Sequence, residues 1–230
     1  MGVNHLSYCI KLLNDDCICD ANYAFTFVDI GAYGRRSDGG IFKDSLMGQK
    51  FNEKTMNGPA PERLTVDGMP LPYVLVGDEA FQLTDYLLRP FPGKEGLDEA
   101  KSIYNYRLSR ARRVVENSFG ILVTQWRLLK KPIEATVENT IQMVQAIICL
   151  HNWLWKRDRE EYIPPNMVDQ DSCNGFIPGL WRQEINNSAF QDVRVHGNHN
   201  SSRAAIGIRE EFCEFFNVES AVHWQYNRDE

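Results

Sequence analysis

The segment Asp98–Gly120, DEAKSIYNYRLSRARRVVENSFG, constrains the fold more than any other part of the chain. It reads as one long helix. Asn105, Ser109, Arg112 and Glu116 are spaced four, three and four apart, so at 3.6 residues per turn they line one face. Tyr104, Leu108, Ala111, Val115 and Phe119 form the neighbouring apolar stripe, which predicts a core-facing side. Glu116 then sits at the edge of a buried face with an arginine one turn before it. Such a carboxylate is either half of a structural ion pair or a working acid.

The elements around it predict an α/β domain. Ala24–Ile30 (AFTFVDI) is rich in aromatic and β-branched residues and reads as a strand ended by Gly31 and Gly34. Ser37 is placed to cap a helix from Asp38 to about Met47. Tyr73–Gly77 (YVLVG) has the continuous apolar character of a strand buried on both faces, with Asp78 just past its end. Leu6–Leu13 has the composition for a short strand, and Leu83–Leu88 reads as a helical turn stopped by Pro90 and Pro92. A second long helix is predicted over Thr140–Trp155, with Ile141, Val144, Ile148 and Trp155 as core contacts and His151 as a core or half-exposed histidine. From Lys156 the chain turns polar. The expected organisation is a main domain over 1–160, a polar linker over 161–200, and a helix with tail over 201–230, capped at Ser201 or Ser202.

Composition bounds the function classes. Hydrophobic residues make up 43% and charged residues 24% of the chain, as in ordinary soluble globular proteins. The net charge of −6 argues against a nucleic-acid binder basic over its whole surface, but not against a local basic patch. The cysteines form no C-x-x-C pair, which suits reduced thiols. Residues 1–14 lack the basic start and apolar run of a signal peptide, and Ile141–Trp155 is too short and polar to span a membrane.

Three acids fall at element ends able to converge: Asp38, Asp78 and Glu116. In an open α/β sheet, ligands gather beyond the carboxyl ends of the strands. Carboxylates gathered there need a positive partner, commonly a hard divalent cation such as Mg²⁺. Each acid also has an ordinary structural reading: a helix-start residue for Asp38, a turn residue for Asp78, and an i,i+4 partner of Arg112 for Glu116.

The motifs favour the first reading. CDANYAFTFVDIGAYGRRSD (Cys19–Asp38), LVGDEAF (Leu75–Phe81) and NYRLSRARRVVENSFGIL (Asn105–Leu122), followed by WRLL and LHNW, come in the order seen in one family. They resemble the DDE superfamily endonucleases of the PIF/Harbinger transposase type and the Harbinger transposase-derived nucleases. The resemblance implies an RNase H-like fold with extra C-terminal helices. It implies that Asp38, Asp78 and Glu116 are catalytic ligands for Mg²⁺ or Mn²⁺. Arg112, Asn105 and Ser109 would orient them or contact phosphate. It also implies DNA as substrate, a Myb-like DNA-binding partner protein, and a nuclear location shared with the cytoplasm. Arg35, Arg36, Arg107, Arg110 and Arg113 are the densest basic groups, and the last three are spaced to form a phosphate-facing ridge.

One departure stands out. The family's first catalytic aspartate lies in a strand of the type [ILV]-D-G-T-H, and nothing upstream of Asp20 matches it. The chain is therefore expected to be an N-terminally truncated member whose sheet lacks its first strand. Two functions follow: a metal-dependent DNA endonuclease, or a domesticated non-catalytic protein that keeps the scaffold and binds DNA or a protein.

Overall fold

The computed structural model describes residues 10–13, 17–30, 38–93, 96–172, 175–184 and 201–226. Its central sheet holds β1 (Ile10–Leu13), β2 (Cys17–Cys19), β3 (Phe25–Val28), β6 (Leu75–Val76) and β7 (Leu87–Leu88) in the order β3-β2-β1-β6-β7. The pairs β1–β2 and β2–β3 are antiparallel, whereas β1–β6 and β6–β7 are parallel. A two-stranded unit, β4 (Glu62–Arg63) with β5 (Pro70–Leu71), precedes β6. The expected gap in the sheet is not there. The short apolar run Ile10–Leu13 takes the central position, with Lys11 opposite Cys19 on one side and Val76 on the other. What this strand lacks is an acidic residue.

Side-chain alternation sorts the strands onto two helical layers. Leu75, Leu87 and Ile18 pack on one side with Phe42, Met47 and Phe81, beneath α1 (Asp38–Asp44) and α2 (Leu46–Asn52). Val74, Val76 and Leu88 face the other way, onto Tyr104 and Leu108 of α3 (Glu99–Gln125) and onto α7 (Arg203–Asn217). Further along the same layer, Cys17, Cys19 and Phe25 meet Val115 and Leu122 of α3 with Ile147 and Ile148 of α4 (Val137–Arg157). The sheet is thus covered on both faces, which suits the continuous apolar run at 73–77.

Two expectations near the sheet are corrected. The helix expected over 38–47 is split at Ser45, whose hydroxyl donates to the Phe42 carbonyl at 2.7 Å and accepts from the Gly48 amide at 3.0 Å. Residues 83–88 form no helical turn. Thr84 Oγ1 accepts from the Leu87 amide at 3.0 Å, and the chain then runs extended beside β6. Leu87 and Leu88 are both buried and face opposite layers, an arrangement only a strand gives them.

Helix α3 starts where Asp98 caps it, accepting from the Lys101 amide at 2.8 Å. It runs five residues past Gly120 and spans about 40 Å. The segment expected to be a polar linker is built into the fold over 162–184. After α5 (Arg159–Tyr162) come a hairpin of β8 (Gln170–Ser172) and β9 (Gly175–Ile177), then α6 (Trp181–Glu184). Tyr162, Met167 and Trp181 form a core with Ile121 of α3 and Trp155 of α4. Residues 185–200 lie outside the described residues.

His151 is fully buried and links three of these parts. Its Nε2 lies 3.0 Å from the Tyr23 carbonyl, which can only accept, so Nε2 carries the proton. Nδ1 then accepts from the Tyr162 hydroxyl at 2.9 Å. Burial holds the ring's pKa below its ordinary value, with the Tyr23 hydrogen bond opposing this. The unfolded chain therefore binds the proton more readily. Stability is expected to be full above the ordinary histidine pKa, about 6.5, and to fall as pH drops below it. Urea melts between pH 7 and pH 5 measure this slope, and a His151→Gln variant should lose that part of it.

Candidate active site

Asp78 follows β6 at its carboxyl end, where the parallel strands open toward solvent. Its Oδ1 accepts from the Ala80 amide at 2.9 Å and so folds the loop on itself. Gly39 of α1 lies against this loop, and a Cβ there would stand 2.7 Å from the Ala80 carbonyl oxygen. This contact needs glycine and brings the backbone of Asp38 beside the Asp78 loop. The Asp38 side chain lies outside the described residues.

Helix α3 supplies the other groups. Arg112 Nη2 stands 3.6 Å from Asp78 Oδ2. Its Nε is buried without a hydrogen-bond partner. Arg112, predicted to orient Glu116, therefore reaches across to the strand acid. One turn on, Glu116 Oε2 accepts from Arg182 Nη2 at 3.2 Å. Arg182 is held from behind by Asp169, whose side chain is only 1% exposed. The contact is two-pronged, Nε to Oδ1 at 2.8 Å and Nη2 to Oδ2 at 2.6 Å, and the Gly179 amide also donates to Oδ1 at 2.8 Å. The Asp169 hydrogen bond, with its charge and that of Glu116, pushes the Arg182 pKa above its ordinary value. Next to Glu116, Asn117 Oδ1 accepts from the Asp169 amide at 3.0 Å and from the Trp181 indole at 2.8 Å, tying 167–182 to α3.

The remaining predicted site residues have other places. Asn105 acts as a peptide mimic: its amide accepts from the Phe91 amide at 2.7 Å and donates to the Phe91 carbonyl at 3.0 Å. That pairing fixes the approach to α3 and takes Asn105 out of phosphate contact. Ser109 is exposed on α3. Arg107 is buried, 3% exposed, donating to the Ser220 carbonyl at 3.0 Å, Gln225 Oε1 at 2.9 Å and Ser220 Oγ at 3.1 Å. Arg110 and Arg113 both pair with Asp171 at 2.7 Å, and Arg110 stacks 3.5 Å from the Trp224 ring centre. The spacing of 107, 110 and 113 does align them, but the β8–β9 hairpin and the C-terminal residues cover that side of α3. Arg35 and Arg36 lie outside the described residues.

Asp169, Arg182 and Asn117 were not legible as site neighbours. Arg182 reaches Glu116 across 66 positions from a segment with no periodic pattern. The flanking Trp181 was the available signal, since a lone tryptophan in a polar stretch usually packs.

Among the described residues, no group of three or more His, Cys, Asp or Glu side chains is placed to hold a metal ion. Asp78 and Glu116 have the oxygen-donor chemistry that hard cations take. Each is met by a guanidinium. No described helix is long and apolar enough to cross a membrane.

The arrangement is that of an α/β protein with Asp78 just beyond the carboxyl end of a parallel strand, met by Arg112, and with Glu116, two thirds of the way along the longest helix, met by Arg182. A family model for DDE superfamily endonucleases matches residues 4–152, and the chain belongs to that family. No curated protein and no solved structure matches it. The family is one of nucleases related to transposases, with DNA as the substrate.

Proposed function

We propose that the chain is a Harbinger-type, transposase-derived DNA endonuclease with an RNase H-like sheet, whose site comprises Asp38, Asp78 and Glu116. The observation that supports this is the Arg112–Asp78 pair, with Gly39 packed on the Asp78 loop and Glu116 one turn after Arg112 on α3. The strand order, with three antiparallel strands followed by two parallel ones, supports the fold reading. Asp38, Asp78 and Glu116 would hold Mg²⁺ or Mn²⁺, and a bound cation would supply Lewis-acid stabilisation of charge developing on the phosphodiester. Within the chain, the Ala80 amide fixes the Asp78 rotamer, while Arg112 offsets its charge and can donate to a phosphate oxygen. A Myb-like partner for sequence recognition and a nuclear location belong to this reading through the motif resemblance.

A second reading, a domesticated protein that binds DNA without cutting it, is favoured by the acid-free central strand Ile10–Leu13. Nuclease assays with Mn²⁺ on the whole chain separate the two. Cleavage that falls on the order of 100-fold in Glu116→Gln supports the enzyme. DNA binding without cleavage supports the second reading, and equal cleavage by both proteins removes Glu116 from the site.

A further inference from the structure

Arg182 pairs with Glu116, yet it comes from a segment beyond the family-matching residues 4–152. The Asp169 carboxylate is almost completely buried, and a buried carboxylate requires a fixed positive partner. Arg182 is therefore locked in place by Asp169 and by the Gly179 turn, independently of Glu116. Its Nη2 is shared: 2.6 Å to Asp169 Oδ2 and 3.2 Å to Glu116 Oε2. The longer arm is the weaker one. Glu116 can turn away from Arg182 without releasing it, because Asp169 keeps the guanidinium satisfied.

We propose that Arg182, presented by the 162–184 segment, is a built-in cation that competes with a divalent metal ion for the Glu116 carboxylate. The inference rests on the metal-ligand reading of Glu116. Like charges in a partly desolvated site oppose one another, so a fixed guanidinium beside the ligand weakens cation binding. The family site is then tuned by a part of the chain that the family pattern does not include. The same contact orients Glu116 along α3 when no cation is bound.

The test is Mn²⁺ binding to the whole chain, followed by the electron spin resonance signal of unbound Mn²⁺. Arg182→Gln alone strands the Asp169 charge, so the informative protein is the Asp169→Asn/Arg182→Gln pair, which keeps an acceptor for the Gly179 amide and remains neutral. The expected result is a Kd at least about tenfold lower than wild type. Adding Glu116→Gln to that pair should abolish the gain. Unchanged or weaker Mn²⁺ binding in the pair overturns the competition while leaving Glu116 as a ligand. Binding that ignores Glu116→Gln in both backgrounds overturns the metal-ligand reading and the competition with it.

Discussion

Replacing Arg107 by alanine is expected to destabilise the folded chain by about 3 kcal/mol, a large share of a domain's total stability. The guanidinium is buried and donates to the Ser220 carbonyl, the Ser220 hydroxyl and Gln225 Oε1. Its face lies 4.7 Å from the Phe216 ring centre and 5.3 Å from that of Trp224. Truncation leaves buried acceptors without a donor and removes two cation–π contacts. Lysine should restore little, since a single ammonium cannot reach carbonyl and amide oxygens with a planar fork. Urea midpoints measure the loss. Hydrogen exchange over α7 should rise first, because α7 and the residues after it are what the arginine ties to α3. A loss below about 0.5 kcal/mol would show that this network is not what holds the C-terminal residues down.

Gly120→Ala should also destabilise, against the rule for helix interiors. Alanine at an ordinary helical site gains about 1 kcal/mol over glycine. Here the Trp181 indole rests on the Gly120 backbone, and a Cβ would lie 2.8 Å from its Cε3 and closer still to other ring atoms. Trp181 must move. In moving it gives up its hydrogen bond to Asn117 and uncovers the cluster of Ile121, Trp155, Tyr162 and Met167. Overpacking of this kind costs about 1–3 kcal/mol, and loss of a packed tryptophan costs more, so a net loss of about 2 kcal/mol is expected. Limited proteolysis within 162–184 should accelerate in parallel. Combining Gly120→Ala with Trp181→Leu should cost less than the sum of the single changes, because the smaller side chain admits the methyl group. Strict additivity would place the strain elsewhere.

Legibility in the sequence followed the range of the interactions. Helices α3, α4 and α7 were readable because apolar residues recur at helical spacing, and Ser202 caps α7 as expected, whereas the side-chain cap of Thr136 starts α4 at Val137, three residues before the expected Thr140. Strands β3 and β6 were readable from residue type. β7 was not, since two leucines flanked by turn residues carry no period, and their strand character comes from pairing with β6. Strand β1 had the right composition, but only its two neighbours reveal its central place. At the site, the register of Arg112 and Glu116 was visible in the spacing, whereas Arg182 and Asp169 lay in a segment read as a linker. Arg107 shows the opposite error. Charge on a regular ridge suggests solvent, and nothing local announces that Gln225, 118 residues away, will bury it.

That last contact bears on how the protein can be shortened. Gln225 is fully buried, and its side-chain amide donates to the Phe216 carbonyl at 3.2 Å while its oxygen receives Arg107. A fragment cut at residue 152, where the family pattern stops, would strip α3 of Trp181, Asp169, Phe216 and Gln225 together. It would leave a guanidinium and an apolar helix face without cover. A piece that keeps all of these contacts to α3 reaches at least to Gln225. A change within the described residues 162–172, 175–184 or 201–226 can therefore act on the longest helix as directly as a change within it.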